Sequence, residues 1–188
     1  MCSNNYPKET ARYNTRSEGI ASTEKILDRI AKAAYDNDRV YEGCTRCVLA
    51  ALQDHLRLVN DNKAYGAVLK ASTALAAGVA RKGETCGALV GAVMAVGLVA
   101  GAEHLDDSEG YVRAMKVAVE VFDRFKKENG TVKCFEIQEK LFGKHYDFFN
   151  PKDAEAWYRD GGLDKCPSVC ALAARIGAEV ILEFRKRK

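Results

Sequence analysis

From Thr85 to Ala102 the chain carries no charged residue, a run of about eighteen in which nine are glycine or alanine. That length touches the lower limit for crossing a bilayer. Glycine and alanine gain little on transfer to lipid, however, and the pairs Gly87/Gly91 and Gly97/Gly101 are spaced for close helix approach. A helix buried on all sides inside a water-soluble bundle needs the same composition, so the run predicts a central apolar helix and no membrane span.

The rest of the chain shows helical periodicity, and the alternating β-branched and aromatic runs of strands are nearly absent. The expected fold is all-α, a bundle of about six to seven helices around the central Gly/Ala-rich one. A polar, flexible arm is expected over residues 1–17 and a single helical domain over 18–188. With 188 residues and 47% hydrophobic content, one core without disulfide staples suffices.

Capping residues and stop signals place the helices at about Ser22 to Tyr35, Gly43 to Val59, Lys63 to Arg81, Thr85 to Ala102, Ser108 to Asn129 and Val132 to Phe142. Residues 144–165 read as irregular, with a helical turn after Pro151. The last helix is expected from Cys166-Pro167 to about Arg185, with proline at its first position.

Net charge is only +3, and the basic end Arg185-Lys186-Arg187-Lys188 complements a helix C-terminus. Nucleic-acid binding is therefore not expected. Met1 through Ile20 contain no apolar signal region, which predicts a cytoplasmic location. There, seven cysteines suggest metal binding or thiol chemistry rather than structural disulfides.

Cys44, Cys86, Cys134 and Cys166 each fall in or before the first turn of a different expected helix. The unpaired N–H groups and positive dipole end there favour a thiolate or a metal-bound sulfur. If each short loop reverses the chain, the second, fourth and sixth helices share one end of the bundle, and Cys44, Cys86 and Cys134 meet there. Four thiolates around one point suit zinc or an iron–sulfur cluster. Cys47 and Cys170 share helix faces with Cys44 and Cys166 and are secondary candidates, although core packing explains each as well. Cys2, in the arm, is incidental.

The segments Gly43-Cys44-Thr45-Arg46-Cys47 and Cys86-Gly87-Ala88-Leu89-Val90-Gly91, followed by Cys134 and Cys166, resemble the C_GCAxxG_C_C family of redox-active proteins over roughly residues 40 to 185. The resemblance implies a small helical protein with four characteristic cysteines. A related module in split-Soret cytochromes pairs an iron–sulfur centre with haem. No C-x-x-C-H attachment site is present, so haem does not carry over. Cys47 and Cys170 depart from the family pattern.

His55, His104 and His145 share no metal-binding spacing. His145, in the aromatic segment, joins a site only if that segment folds over it. No nucleotide-binding loop and no nucleophile elbow is present. The expectation is thus a redox-active protein with an iron–sulfur or other metal centre, for electron transfer to an unnamed redox partner or for redox sensing. A metal-free thiol–disulfide protein and a non-redox helical interaction protein stand as alternatives, and a homodimer is allowed.

Overall fold

The computed structural model describes residues 16–187, with side chains from Ser22 onward. Cys2 and most of the expected arm lie outside the described residues, but Arg16 and Ser17 open the first helix. Eight α-helices follow one another: α1 Arg16–Tyr41, α2 Cys44–Leu56, α3 Asn62–Ser72, α4 Gly87–Ala100, α5 Ser108–Asn129, α6 Cys134–Phe142, α7 Pro151–Arg159 and α8 Gly162–Lys186. The described residues contain no strand, and one isolated antiparallel bridge joins Thr85 to Lys133.

The helix beyond the expected six to seven is α7. Asn150 caps it by accepting a hydrogen bond from Lys152 N at 3.0 Å, and Pro151 opens its first turn. α1 runs past its expected stop at Asp36-Asn37-Asp38. Leu27, Ile30, Ala34 and Asp38 form one buried stripe at helical spacing, and packing along α8 outweighs the local turn preference. Left-handed Glu42 and Gly43 end it instead. α2 stops at Leu56, short of Val59, because Arg57 turns left-handed. Gln53 then holds Val59 through both backbone groups, at 2.6 and 2.9 Å.

The largest departure follows α3, which was expected to reach Arg81. It ends at Ser72, passes through a 3-10 turn over Thr73–Leu75, and then runs left-handed from Ala77 to Arg81. Four of those five residues are not glycine, and each carries an energetic cost of about 1–2 kcal/mol in that conformation. Backbone hydrogen bonds from Ala80 N to Ala74 O (2.8 Å), Gly83 N to Ala77 O (3.2 Å) and Glu84 N to Gly78 O (3.0 Å) hold the segment.

α4 packs on α2, α8 and α5. Its close approach to α2 depends on glycine: a β-carbon at Gly91 would meet Thr45 O at 2.4 Å. Ala88, Leu89, Ala92, Ala95 and Val96 are buried, and a fully buried leucine such as Leu49, Leu52 or Leu89 contributes about 1.5–3 kcal/mol. The helix is not wrapped on every side, which corrects the expectation of a central helix. Its three neighbours cover one flank, leaving Val90, Val93, Met94 and Leu98 partly exposed and Gly97 exposed. No helix among the described residues is long and apolar enough to cross a membrane.

Candidate functional site

The ends of α2, α4 and α6 are built by different local devices. Left-handed Gly43 swings the chain into α2, and Arg46 folds back so that its Nε donates to Glu42 O at 3.0 Å. Cys44 is then the first residue of α2. Cys86 caps α4, and Cys134 opens α6. Around the Thr85–Lys133 bridge, Cys86 N donates to Val132 O at 2.8 Å and Cys134 N donates to Glu84 O at 2.6 Å. Two helix entrances are thereby tied together by backbone, and their cysteines are neighbours.

Cys166 arrives differently. The expected start of the last helix at Cys166-Pro167 is corrected, because α8 begins at Gly162 after left-handed Gly161. Cys166 is thus past the first turn, and Pro167 lies inside the helix. The early start lets α8 meet α7: a β-carbon at Gly162 would fall 2.1 Å from the Trp157 ring, so glycine makes room for the indole.

Cys44, Cys86, Cys134, Cys166 and Cys170 all line one cavity of about 720 Å³. Asp38, Arg46, Arg81, Gln138, Phe148, Phe149, Trp157 and Tyr158 complete much of its wall. The left-handed segment forms part of that wall through Ala77, Ala80 and Arg81, and Ala77 N donates to the Cys44 sulfur at 3.5 Å. Its backbone strain is therefore located at the cysteines.

Cys47 is buried, does not line the cavity, and donates to Glu42 O at 3.2 Å. His145 is not brought to the cavity either. It stacks on Phe135 with ring centroids 4.5 Å apart, and its Nδ1 lies 2.9 Å from Glu139. Cys44, Cys47, Cys86, Cys134, Cys166 and Cys170 are all free thiols.

Helix termini were expected to lower the thiol pKa values, but burial prevails. It pushes Cys44 and Cys166 up to about 12, and Cys86, Cys134 and Cys170 also rise, with burial the largest cause for each. At Cys134 a hydrogen bond from Gln138 Nε2, at 3.3 Å, works against that rise. Among the described residues, no group of three or more His, Cys, Asp or Glu side chains is arranged to hold a metal ion.

Three further residues of the wall are not among the expected site residues. Asp38 is 7% exposed, and burial raises its pKa while the Cys170 and Cys47 thiols, hydrogen-bonded to it, oppose the rise. Its position on the Leu27-Ile30-Ala34 stripe was the available signal. Gln138 is held by Tyr146 N donating to its Oε1 at 2.9 Å, which aims its amide at Cys134. The buried Trp157 Nε1–H has no partner at hydrogen-bond geometry, and the acceptor it influences is the Cys166 sulfur, whose ionised form it favours.

The fold and this cavity define a class: all-helical proteins that gather cysteines from separate helices around one space. The chain matches the family model described as "Putative redox-active protein (C_GCAxxG_C_C)" over residues 42–180. It belongs to that family. No curated protein and no solved structure matches it.

Proposed function

We propose that Cys44, Cys86, Cys134 and Cys166 ligate an iron–sulfur cluster through which the protein transfers or senses single electrons. The observation that carries this reading is the delivery of those four cysteines, from α2, α4, α6 and α8, to one cavity. Family membership favours redox chemistry over a purely structural role.

The donor set suits a cluster better than a single ion. Zinc needs four sulfurs about 2.3 Å from one point, whereas these side chains surround a cavity of about 720 Å³ without such a convergence. A cluster spreads its ligands over several iron atoms, and when bound it supplies one-electron exchange. The N–H of Ala77 and the amide of Gln138 already donate to two of the sulfurs, the arrangement that stabilises negative charge on a ligand. Trp157 and Phe148 meet edge to face at 5.6 Å and wall part of the space with apolar surface.

Disulfide exchange has weaker support, because the thiolate is the attacking species and burial holds Cys44 and Cys166 near 12. A cytoplasmic setting fits six thiols that are all unpaired. The test is anaerobic purification with assay of visible absorption, iron and acid-labile sulfide. Stoichiometric iron and sulfide, lost in Cys86→Ser and Cys134→Ser, are expected. Protein that stays colourless and iron-free after reconstitution, yet oxidises reversibly at its thiols, would reverse the assignment.

A further inference from the structure

On α5 the residues Val112, Met115, Val119 and Phe122 follow one another at intervals of three and four, the spacing of a helix–helix seam. Phe122 is partly buried against the core of its own chain, but the other three do not serve that core. Val112 is 47% exposed, Met115 50% and Val119 50%, while the inner face of the same helix buries Ala114, Val117, Val121 and Phe125. α4, packed against α5, adds its partly exposed flank around Met94 and Gly97, where a β-carbon would meet nothing within 4 Å. Exposed apolar residues set at helical spacing on one face are the pattern of an interaction site.

The charges beside the seam identify the occupant. Lys116 and Asp123 are exposed on one side of it, and among the described residues neither enters an ion pair within the chain. They lie on opposite sides of Val119 along α5, which is near the middle of a helix about 33 Å long. A two-fold axis at Val119 lays a second α5 antiparallel on the first. Val119 then meets its own copy, Met115 faces the Phe122 region, and each Lys116 lies beside Asp123 of the second copy. We infer that the outer face of α5, widened by α4, pairs two copies of this chain antiparallel about Val119, an isologous interface. Because α5 leads through Gly130 toward Cys134, such a pairing directs the two cysteine cavities to opposite ends of the dimer.

Sedimentation of the full chain across a concentration series tests this. A dimer is expected, and Val119→Arg should yield monomer with unchanged helicity. Lys116→Asp and Asp123→Lys should each weaken the dimer about tenfold or more, and the two together should restore it, since the swapped charges meet again across the axis. Wild-type protein that is monomeric throughout would overturn the inference. So would a dimer indifferent to Val119→Arg, or charge swaps that weaken association but fail to compensate. Should Val119→Arg not fold, the exposed charge pair decides alone.

Discussion

A β-carbon placed on Gly87 would lie 2.5 Å from the sulfur of Cys44. The first turn of α4 thus touches the first residue of α2 through a gap that only hydrogen fills, and helix packing and cysteine placement are one constraint. Gly87 has no positive φ, so its replacement brings no backbone strain.

Gly87→Ala should therefore displace the Cys44 thiol, lower stability by about 1–3 kcal/mol and abolish metal-dependent colour. Gly91→Ala, directed at Thr45 O, should destabilise by a similar amount while sparing the cysteines. Gly66→Ala, on exposed α3 with nothing within 4 Å, should gain about 0.5–1 kcal/mol. Urea unfolding of the three variants would separate contact from helix propensity, and equal effects at Gly87 and Gly66 would contradict the packing described.

Metal-free, reduced protein should lose stability in alkali. Cys44 and Cys166 are pushed up to about 12 in the folded state, whereas unfolded cysteine titrates near 8.5. Between those values the folded form holds more protons, so stability is complete below about pH 8.5 and falls as pH rises toward 12, by up to about 1.4 kcal/mol per pH unit per thiol. Melting midpoints measured from pH 7.5 to 10.5 should decline, and the Cys44→Ser/Cys166→Ser double variant should decline less. A flat profile would show that these thiols are not buried.

Trp157→Phe keeps an aromatic ring against Gly162 and removes the indole N–H that favours the ionised form of Cys166. An N–H that favours the ionised sulfur would, in the proposed cluster, stabilise the reduced and more negative state. The midpoint potential should therefore fall, by up to about 60 mV for a tenfold loss in a one-electron couple, while the circular dichroism stays unchanged. A variant with wild-type potential would remove Trp157 from the tuning of the centre.

Glycine substitution reads the left-handed segment directly. In a right-handed helix, Ala80→Gly costs about 0.5–1 kcal/mol. At a φ of 51° the relief of the alanine side chain offsets that cost, so Ala80→Gly should be neutral or stabilise by up to about 1 kcal/mol. A clear loss of stability would indicate that α3 continues right-handed to Arg81.

Legibility from sequence varied with the physics at each element. α5 was readable at both ends because an acidic first turn and an Asn-Gly stop act locally. The end of α3 was not, since an alanine-rich stretch favours a right-handed helix and only tertiary contacts, such as Ala77 on Cys44, impose the opposite hand. Asp38 looked like a helix terminator, and its burial against α2 and α8 is a property of the assembled bundle. Four cysteines could be picked out by position and family pattern, and Cys170 as a secondary candidate by its spacing from Cys166, but Asp38, Gln138 and Trp157 enter the cavity wall through folding alone. The pKa direction was misjudged for the same reason: a helix end can be recognised in a sequence, whereas the depth at which it is buried cannot.

The Thr85–Lys133 bridge has a further consequence for assembly of the proposed centre. All of α4 and α5 lie between Cys86 and Cys134, and closing so long a loop costs conformational entropy. Backbone hydrogen bonds between the segments flanking those cysteines offset that cost within the fold itself. Two of the four thiols are consequently preorganised, and the proposed cluster would need to order only the approach of Cys44 and Cys166. Affinity at such a site is governed by how firmly the two helix entrances are clasped as well as by the sulfur–metal bonds themselves.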